Sequence, residues 1–127
     1  MATPKDIEGY LDKSGYDFET VDYGVWTINL PDLGKIAITH NEPLVVIRMK
    51  VADLPRKKGL EELYRKLLEM NSDEVVHGAF SIKGDSVILV DTLEDSKLDE
   101  NELVASISSL EFAASRSIPV IKDYMGK

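Results

Sequence analysis

Three segments in the first half of the chain, VWTINL, KIAITH and LVVIRMKV, alternate apolar and polar residues. PDLG and NEP separate them, and the Pro, Gly, Asp and Asn of these spacers favour turns. A period of two broken by turns predicts an antiparallel three-strand meander. The preceding stretch, YDFETVDYG, alternates less cleanly and reads as a lead strand. Alternation along VWTINL sets Trp26, Ile28 and Leu30 on one face and Val25, Thr27 and Asn29 on the other, so the first trio is the candidate core.

Three helices flank these strands. In TPKDIEGYLDKSG, Thr3 suits an N-cap, Pro4 the first helical position and Gly15 the stop, with Asp6 three residues after the cap. Ile7, Tyr10 and Leu11 share one face. In LEELYRKLLEMN, Leu60, Leu63, Tyr64, Leu67 and Leu68 recur at helical spacing, which predicts an amphipathic helix packed through all five and ended by Asn71. The last helix starts near Glu100, capped by Asp99 with Glu102 three residues on, and points Leu103, Ile107, Leu110 and Ala114 inward. It is expected to stop near Ser117. Ser115 to Pro119 reads as a break before VIKDYMGK, since proline lacks the helical N–H donor. Phe112 falls opposite Leu103, beside Ala105, Ser108 and Arg116.

EVVHGAFSIKGDSVILVDTL, Glu74 to Leu93, reads as two strands joined at Gly84 and Asp85. A two-residue type II′ loop sets Ile82 against Val87 and Phe80 against Leu89. Val76, Phe80, Ile82, Val87, Leu89 and Leu93 then share one face, and His77, Ala79, Ser81, Ile88, Val90 and Thr92 the other. A three-residue loop would set Ser81 against Val87 and scramble the apolar face. The expected fold is one α+β domain over residues 1–127, a two-layer sandwich. Its antiparallel sheet, the three-strand meander plus a hairpin, packs against helices in the order α-β-β-β-α-β-β-α, with the lead strand before the meander.

Composition narrows the function. No apolar run approaches a membrane span, the N-terminus lacks the basic start and apolar stretch of a signal peptide, and there is no cysteine, so the expected location is the cytoplasm. Fifteen basic against twenty-three acidic residues leave a net charge of -8, which repels a phosphate backbone and excludes nucleic acid as the expected partner. Arg56, Lys57 and Lys58 form the one small basic cluster and read as a helix lead-in. An acidic chain instead attracts basic or amphipathic polypeptides.

Chemical signatures are missing. His77 has no local ligand set, no nucleophile and no orienting acid, and His40 lies far upstream with no ligand spacing to it. Along DTLEDSKLDENE, Asp91, Asp95 and Glu102 match a calcium loop, but Leu93 and Ser96 occupy positions that need an oxygen ligand and a glycine. GxGxxG, P-loop, HExxH and nucleophile-elbow motifs are absent. The expectation is therefore no catalytic residue, no cofactor and no bound metal. The competing reading is a small-ligand sensor or enzyme with a site assembled from scattered residues such as His40, His77 and Asp91. Apolar residues left on mixed faces, Ile88, Val90 and Phe112, are the candidate partner or dimer contacts.

The element order, the helix ending LLEMN, the following HGAFSIKGDSVILVDTL and the final helix resemble the bacterial YbjN-like family, whose fold is that of type III secretion chaperones. The resemblance covers the chain from about Tyr16. It implies a small non-enzymatic protein, often dimeric, that holds a polypeptide client or acts as an adaptor or regulator. It transfers no catalytic residue, because the family has no catalytic motif.

Overall fold

The computed structural model of the protein describes residues 1–126. Helix α1 spans Pro4–Ser14 and strands β1 to β4 span Phe18–Asp22, Val25–Leu30, Gly34–Asn41 and Leu44–Asp53. Helix α2 (Glu61–Asp73), strands β5 (Ala79–Lys83) and β6 (Ser86–Glu94), a 3-10 turn (Asp95–Lys97) and helix α3 (Glu100–Met125) follow. All strand pairs are antiparallel, in the order β1-β2-β3-β4-β6-β5. The hairpin thus extends the meander through β6, and the lead strand is a full member of the sheet.

Local signals explain the element ends. The Thr3 side chain accepts from the Asp6 backbone N–H while the Asp6 carboxylate accepts from the Thr3 N–H, a capping box that satisfies otherwise orphaned donors. Gly15 closes α1 in the left-handed conformation. Asp99 caps α3 by accepting from the Glu102 N–H. At the hairpin, Lys83 pairs with Ser86 and Gly84 has φ +60°, so the two-residue loop and the expected register hold: Phe80 faces Leu89 and Ile82 faces Val87.

All three helices lie on one side of the sheet. Trp26, Ile28, Ile36, Ile38, Ile47 and Leu89 on that side are almost fully buried, against Ile7 and Leu11 of α1, Leu63 and Leu67 of α2 and Leu103, Ile107 and Leu110 of α3. Glu8 of α1 ties its helix to the sheet, accepting from Trp26 Nε1 at 3.2 Å and from the Thr20 hydroxyl. These two bonds hold the Glu8 carboxyl below its ordinary range.

Four expectations are corrected. Helix α3 does not break at Ser115 to Pro119 but runs through Pro119 to Met125, with Ser117 and Ile121 buried. Burial of the apolar face beyond the proline offsets the missing N–H bond and the ring's clash with the carbonyl four residues back. Asn71 does not end α2, which continues to Asp73. Its side chain instead grips Phe80 of β5, its Oδ1 accepting from the Phe80 N–H at 2.6 Å and its Nδ2 facing the Phe80 carbonyl at 3.4 Å. Tyr64 and Leu68 leave the packed stripe, whose buried members are Leu60, Leu63, Leu67 and Met70. Finally, Val76 and His77 precede β5 in a connecting segment, so neither belongs to the strand face assigned to it, and Val76 is exposed.

Candidate functional site

An apolar groove runs between α2 and β5. Tyr64, Leu67, Leu68, Phe80 and Ile82 line it with Asn71, around about 210 Å³ of space. Leu68 is 70% exposed and Ile82 45%, so both present apolar surface to solvent. The groove exists because the α2 stripe is wider than the surface it covers: Leu63 and Leu67 reach the core, while Leu68, next around the helix, overhangs the sheet edge. Strand β5 is that edge. Asn71 already occupies the Phe80 backbone on its outer side, so the groove offers apolar side-chain contact rather than a free row of ladder groups.

The candidate contacts from the sequence lie in different layers. Ile88 and Val90 alternate with the buried Val87 and Leu89 and so face away from the helices, half-buried, on the uncovered side of the sheet. Phe112 projects from α3, 54% exposed, with the Arg116 guanidinium carbon 5.5 Å from its ring centre. No single surface holds all three.

The two histidines are also apart in role. His77 is exposed, its backbone N–H donating to Ser109 Oγ at 2.9 Å. With Asp91, Leu93, Asp99, Glu102 and Ser106 it lines a cleft at the start of α3, where the Asp91 carboxylate accepts from the Ser106 hydroxyl at 2.7 Å. This places His77 and Asp91 in one cleft, but without His40 and without a nucleophile activated by the imidazole. His40, at the end of β3, has Nε2 2.9 Å from Asp95 Oδ2, and both side chains are buried. Sequence reasoning missed this pair. Asp95 had entered only as a member of a failed calcium loop, and the contact joins elements more than fifty positions apart, with no local spacing to betray it.

No helix among the described residues is long and apolar enough to cross a membrane. No curated protein matches the chain. Among solved structures, a chain of the heterodimeric ExoU-SpcU complex from the type III secretion system of Pseudomonas aeruginosa superposes with a TM-score of 0.71 at 16% identity, covering 89% of this chain and 95% of that one. YbjN from E. coli gives 0.67 at 14% identity over 92% and 89% of the two chains. The Yersinia pestis structure of the type III secretion chaperone SycH with a stable fragment of YscM2 gives 0.62 at 19% identity over 89% and 97%. At such identities these likenesses establish the fold. The CesT_Tir_1 family model matches residues 1–127, the whole chain, and the protein belongs to this type III secretion chaperone family.

Proposed function

We propose that the protein is a non-catalytic chaperone-like or adaptor protein of the cytoplasm that binds a polypeptide partner and works as a homodimer. The observation that carries this reading is the α2–β5 groove: an apolar, open strip on an acidic molecule, walled by exposed Leu68 and Ile82. Contiguous exposed apolar surface of this kind marks interaction sites. Its fitting occupant is a segment with apolar side chains to fill the groove and flanking Lys or Arg to meet a net charge of -8. The SycH–YscM2 and ExoU-SpcU complexes support the class of partner, since each joins the shared fold to another polypeptide.

The test is a peptide array probed with the purified full chain. Selected peptides should combine apolar residues with flanking basic ones, and Leu68→Glu or Ile82→Glu should weaken them about tenfold or more, a loss of about 1.4 kcal/mol. Selection of peptides indifferent to both substitutions removes the groove from this role. The homodimer contact is assigned to Ile88 and Val90 or to Phe112. These lie in opposite layers, so one twofold contact uses one of them.

A further inference from the structure

Away from the groove, the geometry points to a divalent transition-metal site, best matched to zinc, built from His40, Glu42 and Asp95. One donor atom from each residue can be chosen so that all lie within 4.8 Å of one another. The His40 and Asp95 side chains are 2% and 0% exposed. A second observation singles out this cluster: Asp95 Oδ1 is fully buried and has no hydrogen-bond partner among the described residues. Buried carboxylate oxygens are almost always satisfied, because an unmade bond leaves their desolvation uncompensated. A cation beside this oxygen supplies what the protein donors do not.

The backbone holds the donors in place. Asp95 donates its N–H to the Pro43 carbonyl at 2.9 Å and accepts at its own carbonyl from the Ala2 N–H at 2.8 Å. His40 is anchored through its N–H to the Gly24 carbonyl. Glu42 sits in the turn between β3 and β4 and is exposed, so its carboxylate rotates without disturbing the core. That rotation is required, because zinc bonds of about 2.0–2.2 Å draw ligands closer than the present spread. One imidazole nitrogen with two carboxylates is a borderline donor set that suits zinc, whereas calcium and magnesium favour all-oxygen shells. Coordination of the ion by His40 Nε2 and Asp95 Oδ1 replaces the present hydrogen bond between Nε2 and Oδ2, and a neutral ring that ligates through Nε2 carries its proton on Nδ1. Three protein donors leave the fourth position to water. The bound ion joins the end of β3 and the β3–β4 turn to the 3-10 turn.

The full chain, stripped of metal, is titrated with zinc by calorimetry and with cobalt(II) by visible absorption. Saturable binding of one ion per chain in the micromolar range, a raised thermal midpoint and a four-coordinate cobalt spectrum are expected. Glu42→Gln, at an exposed turn position that folds without difficulty, should weaken binding about tenfold or more while leaving the metal-free midpoint in place. His40→Gln should weaken it further, and His77→Ala should leave it unchanged. Absence of saturable binding, binding indifferent to Glu42→Gln, or binding lost in His77→Ala would overturn the assignment and leave His40 and Asp95 as a metal-free hydrogen-bonded pair.

Discussion

The two faces of the sheet come from the same six strands, offset by one residue along each, yet they are different surfaces. Under the helices, Trp26, Ile28, Ile38, Ile47, Val87 and Leu89 are closed to solvent. On the other side, Thr27, Asn29, Lys35, Arg48, Lys50 and Ser81 surround a small apolar centre of Val46, Ile88 and Val90. Stability is concentrated on the first face, because each buried aliphatic or aromatic side chain there contributes about 1.5–3 kcal/mol relative to exposure. The second face packs against no helix among the described residues, so a substitution there removes less buried surface. Period-two alternation makes this division possible, and a one-residue slip would exchange the two surfaces.

The contrast breaks most readily at Phe80. Phe80→Ala should destabilise the fold by about 3–5 kcal/mol, against less than about 0.5 kcal/mol for Lys66→Ala on the wet side of α2. Urea melts read both, and equal effects would refute the assignment of the covered face. Gly78 tests the border where the chain leaves α2 for β5. It has φ +86°, and an added Cβ would lie 2.5 Å from the Val90 carbonyl oxygen. Gly78→Ala should cost about 1–3 kcal/mol in backbone strain alone, with the contact adding to it. Gly84→Ala, at φ +60° with nothing within 4 Å of the added carbon, should cost less. A reversed order in thermal melts would mean that the Gly78 segment relaxes away from Val90.

At the candidate dimer contacts, Val90 on the uncovered face and Phe112 on α3, the expected change is in mass rather than stability. Light scattering of the parent chain should give about twice 14.2 kDa. Either Val90→Glu or Phe112→Glu, and not both, should shift it towards the monomer; a concentration-independent monomer for the parent discards the dimer. The smallest effect sits at the margin of the covered face. Hydrogen bonds from Thr20 and Trp26 depress the Glu8 carboxyl, so their stabilisation is complete above its ordinary value of 4.5 and is lost as pH falls through the lower folded value. Glu8→Gln, which resembles the protonated acid, should therefore lower the thermal midpoint slightly at neutral pH and leave it nearly unchanged at the acid end, so that the acid limb flattens; Trp26 fluorescence follows the melt. An unaltered acid limb would remove Glu8 from the account.

What the sequence by itself determined about this protein was local or periodic. The capping box of Thr3 and Asp6, the Gly15 stop, the Asp99 cap and the Gly84–Asp85 loop are read from neighbours within a few positions, and the structure keeps them all. Period-two alternation was enough to choose the hairpin register and the Trp26, Ile28 and Leu30 face. Tertiary structure decided wherever a residue's role depended on what lies across the molecule. Leucines at helical spacing reveal a stripe, but the width of sheet beneath α2 selected Leu67 for the core and left Leu68 to the groove. Proline predicts a helix break, but the burial of Ile121 beyond it kept α3 whole. His77 drew attention through its apolar neighbours in sequence, whereas His40 acquired its buried carboxylate partner only when the end of β3 met the turn after β6. The reason is physical: caps, turns and alternation act over one or two turns of chain, while burial and the convergence of donors are set by the packing of elements far apart in sequence.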